Sequence, residues 1–218
     1  EALDEDFRPG LAGSNQLWLL RHMIAVTARY DQWRFTGEFI DARAFDVPSN
    51  KFIANSIVDA VDLLQAFVGR EFEEVFHEGD SLDVRLGRQT INLGSRRLVA
   101  RNVYRQTVNA FTGLAASYED GPRTLDLFAF MPVARLPFLP QELRDNEVEF
   151  DEERQNTLFT GAHLTRAVFD GHSTGELYAY GLFEDDQGDA LTRNRQLVTL
   201  GARLSRSPKE RAFGYDSE

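Results

Sequence analysis

Long stretches in which apolar and polar residues alternate are the feature that most restricts the fold of this chain. The clearest is 82–87, where leucine and valine alternate with aspartate and arginine. Similar alternation recurs at 17–30, 33–43, 60–72, 110–118, 123–131, 157–168, 175–184 and 196–205, and a tenth stretch begins near Ala212. A period of two is typical of β-strands. Several stretches reach ten residues or more, as strands of about 9–11 residues do when they cross a membrane at a tilt.

Short and long connections alternate between these predicted strands. The short connections are 31–32, 73–80, 119–122, 170–174 and 206–211, and the long ones are 44–59, 91–107, 132–156 and 185–195. Outer-membrane barrels have this rhythm, with short periplasmic turns and longer external loops. Tyr30, Trp33 and Tyr118 lie beside short connections, where an interfacial aromatic girdle is expected. The sequence therefore predicts an all-β fold, an antiparallel up-and-down transmembrane β-barrel.

The composition excludes several other classes of protein. No run of the chain has the roughly 18–20 consecutive apolar residues of a membrane-spanning helix. The net charge of -11 argues against a nucleic-acid partner, because phosphate binding needs a basic surface. The absence of cysteine excludes disulfides and thiolate metal sites. The N-terminus is acidic and has no signal-peptide pattern, and the C-terminus resembles an interrupted strand. We therefore expect residues 1–218 to form part of one barrel domain, with no second domain.

Arginine dominates the positive charge, since only Lys51 and Lys209 among the 24 basic residues are lysines. The positive charge is concentrated around the third predicted strand pair, where no acidic residue lies between Arg88 and Arg105. The polar residues of this stretch are Arg85, Arg88, Gln89, Arg96, Arg97, Arg101, Asn102 and Arg105. Rings of arginine in a pore select for anions, and a long loop can fold inward to narrow a barrel. High-GC codon usage, or an external loop that binds lipopolysaccharide phosphates or nothing, explains the same bias.

Four motifs carry a family resemblance: RLGRQ at 85–89, GSRRLV at 94–99, EFIDARAF at 38–45 and DLLQAFV at 62–68. With them, residues 17–131 resemble the alginate export porins, and the remainder does so through strand rhythm alone. The resemblance implies an outer-membrane barrel of about eighteen strands, of which this chain supplies about ten. It also implies an electropositive pore that conducts polyuronate. The implied pore residues are Arg85, Arg88, Gln89, Arg97, Arg101 and Arg105, with Asp41 and Arg43 on the facing wall.

Strand parity complicates two of these assignments. Arg88 has the parity of Leu86, so a regular strand would direct it toward lipid. Either a bulge redirects it, or it lies at the rim and reaches headgroups. Glu38 and Asp41 share a face only if their strand slips by one residue near Ile40. Acidic residues in the lining would keep binding weak enough for release, although they could equally be cross-strand partners that stiffen the sheet.

Other candidate sites are weaker. The histidines His22, His77, His163 and His172 are scattered, and none has a second ligand at i+2 or i+4, so the sequence predicts neither a metal site nor a cofactor. The acidic segment 184–189 could hold Ca²⁺ but lacks the full calcium-loop spacing, and a solvated loop is the alternative. Glu176, Tyr178 and Tyr180 could contact a sugar, or they could be packing residues. The charged segment 141–156 is predicted to be a solvated loop, and Pro132, Pro137 and Pro140 are expected to end the strand before it.

The predicted function is a passive outer-membrane channel, not an enzyme, for an anionic polysaccharide such as alginate. Its expected partners are that polysaccharide, outer-membrane lipid and lipopolysaccharide, and periplasmic secretion components, without nucleic acid. A porin for small anions or sugars, or a barrel that serves adhesion, would have the same architecture. A soluble periplasmic β-protein that binds or cleaves acidic sugars is the other alternative. A lyase would need a Tyr/His or Arg/Glu constellation on one face of a sheet, and the spacing of the histidines indicates none.

Overall fold

A computed structural model describes residues 2–4, 14–49, 51–169, 171–186, 192–208 and 213–218. In chain order the elements are β1 (Ala2–Asp4), β2 (Ser14–Gln16), β3 (Trp18–Tyr30), β4 (Trp33–Phe45), β5 (Asp59–Glu73), β6 (Ser81–Gln89), β7 (Phe111–Asp120), β8 (Arg123–Ala134), α1 (Pro140–Asp145), β9 (Glu152–Glu153), β10 (Thr157–Val168), β11 (Ser173–Glu184), β12 (Gln196–Arg206) and β13 (Tyr215–Ser217). β1 and β2 pair in a small sheet of their own.

The remaining strands form one antiparallel sheet in the order β13-β12-β11-β10-β8-β7-β6-β5-β4-β3, and β9 pairs with the end of β8. Strands that follow one another along the chain are neighbours in the sheet, which is the up-and-down arrangement. The predicted strands and the all-β antiparallel fold are thus confirmed. The tenth strand is β13, and its predicted start at Ala212 lies outside the described residues.

The rhythm of the connections is confirmed as well. The chain segments between strands are short at 31–32, 74–80, 121–122, 169–172 and 207–214, and longer at 46–58, 90–110, 135–156 and 185–195. Because consecutive strands are antiparallel, all short connections lie at one end of the sheet and all long ones at the other. Each long segment is therefore free to fold over the same end of the sheet.

One face of the sheet is apolar and exposed. Side chains directly opposite each other in an antiparallel pair point the same way, and Leu86 lies opposite Leu114 while Leu127 lies opposite Ala162. The large residues of this face are Ile24, Val26, Phe35, Phe39, Leu86, Leu114, Leu127, Leu158, Leu177, Val198 and Leu200, all exposed. A soluble monomer seldom exposes so extensive an apolar surface, whereas lipid contact removes its cost.

Aromatic residues mark the short-turn end of this apolar face. Tyr30 and Trp33 flank the first turn and lie opposite each other, both exposed. The Arg70 guanidinium lies 5.0 Å from the Trp33 ring centroid and 4.7 Å from that of Phe72. An arginine over aromatic rings at the edge of an apolar band is the arrangement expected at a membrane–water interface. Tyr118 instead uses its hydroxyl within the structure, donating to Asp80 at 2.8 Å.

The segment 141–156 is more ordered than a solvated loop, so that prediction is wrong in part. It contains most of α1 and all of β9, and both Leu143 and Asp151 are buried. Asn146 ends α1 in the left-handed conformation, and its side-chain amide bonds Ala44 at the end of β4. β8 also continues through Pro132 to Ala134, because the Pro132 carbonyl still accepts from the Arg154 N–H. Among the described residues, no helix has both the length and the apolar character to cross a membrane.

Asp80 organises the turn between β5 and β6. Its carboxylate accepts backbone N–H groups from Val75, Phe76 and His77 at 2.7–3.0 Å, besides the Tyr118 hydroxyl. Burial pushes the pKa of Asp80 up, but these hydrogen bonds outweigh it and hold the pKa below its usual value.

We expect this turn to lose stability in acid. A lowered folded-state pKa contributes stability above the unfolded pKa, and that stability is lost as the pH falls through the folded value. Asp80→Asn should therefore lower the urea midpoint near neutral pH and shrink the difference in midpoint between pH 6 and pH 3. Asp31→Asn, in the first turn, is the control. Equal acid sensitivity in wild type and Asp80→Asn would contradict the role given to this carboxylate.

Candidate functional site

The connection between β6 and β7, residues 90–110, lies over the polar face of the sheet. We call it the arginine loop. One side of it is bound to β4 and β5: the Glu38 carboxylate binds the Arg101 guanidinium and the Gln65 amide. Gln65 in turn accepts the Thr90 N–H at 3.0 Å. Glu38 is only 5% exposed, so these contacts fix the base of the loop in a largely buried polar network.

The other side of the arginine loop is bound to the last strands. Arg97 pairs with Glu218 at 2.8 Å and with Asp216 at 3.3 Å. Gly94, with φ +48, lies so close to Glu176 and His163 that a Cβ would collide with both. Only glycine fits there, because the left-handed conformation and the close approach both exclude a side chain.

These two sets of contacts indicate a curved sheet. From β13, which holds Asp216, to β4, which holds Glu38, there are eight steps in the strand order, or about 38 Å across a flat sheet at ~4.8 Å per strand. Residues 97 to 101 cover at most about 14 Å of chain. Both ends of the strand order therefore contact one short stretch of a loop whose backbone folds back on itself, which places the arginine loop on the concave side of a curled sheet.

Apolar packing holds the loop against this concave face. Ile91, Leu93 and Val99 are buried in one cluster with Phe128 and Phe130 of β8. The backbone between them turns back on itself, since the Leu93 N–H donates to the Val99 carbonyl at 3.1 Å. As expected, this long loop folds over the concave face of the sheet that the structure describes.

The loop and the sheet enclose a cleft of about 380 Å³. Its polar lining comes from Arg96, Arg97, Asn102, Tyr104, Arg105 and Asn109, and its apolar lining includes Phe111, Phe159 and Leu182. Arg96 and Asn102 are both in the left-handed conformation. No carboxylate of the described part of the chain lines this cleft, which therefore offers positive charge beside aromatic and aliphatic surface, as a sugar acid requires.

The structure separates the predicted arginines into two groups. Most are neutralised: Arg85 by Asp83 at 3.3 Å, Arg88 by Asp62 and Glu153, Arg97 by Asp216 and Glu218, Arg101 by Glu38, and Arg43 by Asp41 at 2.7 Å. Arg96 and Arg105 form no ion pair with any carboxylate of the described residues, and both are exposed at the cleft. Arg105 is held through its backbone, since its carbonyl accepts from Arg21 at 2.6 Å.

Arg88 is directed away from the apolar face, but without the bulge that the first of the two alternatives assumed. The backbone change is at Gly87, with φ +130, which lies opposite Gly113, with φ +154. A Cβ at either glycine would collide with a neighbouring strand. Arg88 thereby reaches Asp62 at 3.2 Å and is 13% exposed. No shift in strand pairing accompanies this change between β5 and β6. Gln89 beside it is fully buried and donates to the Gly113 carbonyl.

β4 does not slip near Ile40. Its buried residues keep a strict period of two, Glu38, Ile40, Ala42 and Ala44, and the irregularities in the β4–β5 pairing fall on β5, which carries the extra residues. Asp41 and Arg43 therefore lie on the face opposite to Glu38, between the exposed side chains of Phe39 and Phe45. They pair with each other there rather than facing the arginine loop.

A histidine cluster on the concave face escaped the sequence analysis. His163 is 2% exposed, and its Nδ1 lies 2.6 Å from the Tyr180 hydroxyl while its Nε2 lies 3.2 Å from Glu176. Arg203 binds the other oxygen of Glu176 at 2.6 Å. These residues come from three strands, and only their shared parity in β10, β11 and β12 could have indicated the cluster. Because Gly94 covers it, the cluster supports the loop and has no open surface for a substrate.

Comparison with known proteins adds one match. The family model described as alginate export matches residues 2–218. No curated protein and no solved structure matches the chain. The match spans every strand of the sheet, including the region beyond residue 131 where the sequence motifs end.

Proposed function

This chain belongs to the alginate export family, and we propose that it lets an acidic polysaccharide pass the outer membrane through a pore whose free cations are Arg96 and Arg105. Alginate export proteins are transport channels of the outer membrane and not enzymes. Residues 1–218 belong to one barrel domain in this proposal. Its transported partner is an alginate-like polyuronate, and its exposed apolar face contacts lipid and lipopolysaccharide. Periplasmic secretion components would deliver the polymer.

The observation that carries the proposal is the cleft beside the arginine loop. A uronate residue has one carboxylate and an otherwise uncharged ring. Arg96 and Arg105 provide two donors for carboxylates without competing acids, and Tyr104 and Phe159 provide surface for the ring. Two cations keep each contact exchangeable, as conduction requires.

The neutralised arginines have a supporting role in this proposal. Arg97 binds a carboxylate near one end of the strand order, and Arg101 binds one near the other end. Together they hold the arginine loop across the concave face. Arg85 and Arg88 bind carboxylates of the wall itself. These four residues, with Gln89, Glu38 and Asn102, shape the pore and set its potential, while Arg96 and Arg105 contact the polymer.

Replacing both free arginines tests the proposal. We expect Arg96→Gln/Arg105→Gln channels in planar bilayers to lose most of their anion preference. Block of the current by oligouronates should weaken about tenfold or more, which corresponds to ~1.4 kcal/mol. The readouts are the reversal potential in a salt gradient and the concentration of oligouronate that halves the current, with neutral maltooligosaccharides for comparison.

The matched control removes the same charge elsewhere. Arg123 and Arg166 lie opposite each other at the short-turn end of the apolar face, both exposed. Arg123→Gln/Arg166→Gln should leave selectivity and block unchanged. An unchanged reversal potential in the Arg96/Arg105 variant would refute the assignment of the free cations. Anion preference without oligouronate block in the wild type would favour a porin for small anions.

A further inference from the structure

Three buried aspartates meet at the long-loop end of the sheet. Asp59 and Asp62 lie in the first residues of β5, and Asp151 immediately precedes β9. Each contributes a carboxylate oxygen, and these oxygens all lie within 4.8 Å of one another. The three residues are 1%, 2% and 8% exposed. So dense a group of acids is costly in a buried site unless something positive balances it.

One fully buried oxygen of this cluster has no hydrogen-bond partner. Asp62 accepts from Arg88 at 3.2 Å and from the Asp151 N–H at 3.1 Å, and Asp151 accepts from the Leu136 N–H at 2.7 Å. Oδ1 of Asp59 is completely shielded from solvent and makes no hydrogen bond. A buried carboxylate oxygen without a donor loses its hydration and gains nothing in return. Such an oxygen, held among two other carboxylates, is a candidate ligand atom for a cation.

The neighbouring arginines do not balance the charge. Arg88 is shared between Asp62 and Glu153. Arg135 lies nearby, but it donates to Asn55 and Asn109 and forms no ion pair with a carboxylate of the described residues. When all are ionised, the four carboxylates of Asp59, Asp62, Asp151 and Glu153 exceed the two guanidinium groups by two negative charges.

We propose that Asp59, Asp62 and Asp151 bind one divalent cation of the Ca²⁺ type. Ca²⁺ takes oxygen ligands at about 2.3–2.6 Å in flexible geometry, so two oxygens on opposite sides of one ion lie up to about 5.2 Å apart. The observed spacing fits that limit. Mg²⁺, with ligands at about 2.0–2.1 Å, would require opposite oxygens within about 4.2 Å and a stricter octahedral geometry. A charge of +2 also neutralises the two negative charges that remain.

The cation has a structural role, because it joins segments far apart in the chain. It links the start of β5 to the 135–156 segment, which carries α1. Leu143 of α1 packs with Leu17 and Val58, so that segment closes the long-loop end over the edge of β3–β5. Binding of Ca²⁺ fixes this cover in place, independently of whatever passes through the pore.

Calcium binding by the purified full chain in detergent tests the proposal. In equilibrium dialysis with ⁴⁵Ca²⁺, we expect one bound ion per chain that depends on this cluster. We also expect the melting temperature in Ca²⁺ to be several degrees above that in EDTA. Asp59→Asn should abolish both effects. Because Oδ1 of Asp59 has no hydrogen bond to lose, Asp59→Asn should fold and should melt higher than wild type in EDTA, where only repulsion remains.

Asp83→Asn is the matched control. Asp83 is a carboxylate on β6, paired with Arg34 toward the short-turn end, and its loss should leave calcium binding intact. Calcium binding and a calcium-dependent melting temperature that persist in Asp59→Asn would overturn the proposal, since the ion would then be bound elsewhere. A wild-type chain that binds no ion at millimolar Ca²⁺ would overturn it too, leaving protonation of the cluster as the balancing charge.

Discussion

Gly94→Val should release the arginine loop from the sheet and raise the single-channel conductance several-fold. The added side chain would collide with Glu176 and with His163, and the φ of +48 is unfavourable for valine. Neither neighbour can move easily, since Glu176 binds Arg203 and His163 contacts Tyr180. The loop must therefore leave its position on the concave face. The proposed pore should then widen and lose its anion preference.

Gly37→Val is the control for Gly94→Val. A Cβ at Gly37 would meet no atom within 4 Å, and its φ is not positive, so conductance and selectivity should stay at wild-type values. Limited proteolysis within 90–110 should accelerate in Gly94→Val alone. A folded Gly94→Val channel with wild-type conductance would show that the loop does not obstruct the pore.

Glu38→Ala should destabilise the barrel by about 3 kcal/mol, because it leaves Arg101 and Gln65 without their shared partner on a buried face. The cost is at the lower end for a buried pair, since Arg101 is 20% exposed and keeps its bond to Thr90 at 3.1 Å. The free energy of unfolding from urea titration in lipid vesicles measures the loss. Channels that survive should show noisier conductance as the loop base loosens.

The control for Glu38→Ala lies on the same strand. Asp41→Ala removes a carboxylate that also binds an arginine, but Asp41 and Arg43 are about one-third exposed on the opposite face. Its cost should stay below about 1 kcal/mol. In a double-mutant cycle, Glu38→Ala/Arg101→Ala should be less destabilised than the sum of the two single variants. Additive losses would mean that the two side chains do not stabilise the loop as a pair.

Strand positions and their order followed from the sequence because they depend on local pattern. Period-two alternation shows which residues form the apolar face, and turn residues show where the chain reverses. The structure agrees with those predictions from Trp18 to Arg206. The pattern fails where backbone conformation departs from a regular strand. Gly87 redirects Arg88 through a positive φ, and extra residues on β5 shift the pairing of β5 with β4. The alternation of polar and apolar residues reveals neither change.

The sequence by itself determined the all-β fold, the alternation of short and long connections, the apolar face and the concentration of arginine in one loop. Only the tertiary structure decided which of those arginines are free. Charge pairing acts across space: Arg101 meets Glu38 from 63 positions away, and Arg97 meets Glu218 from 121 positions away. The same reason hid the aspartate cluster, whose members come from both ends of a long stretch of chain. Local periodicity carries no information about such distant partners, because the curvature of the sheet brings them together.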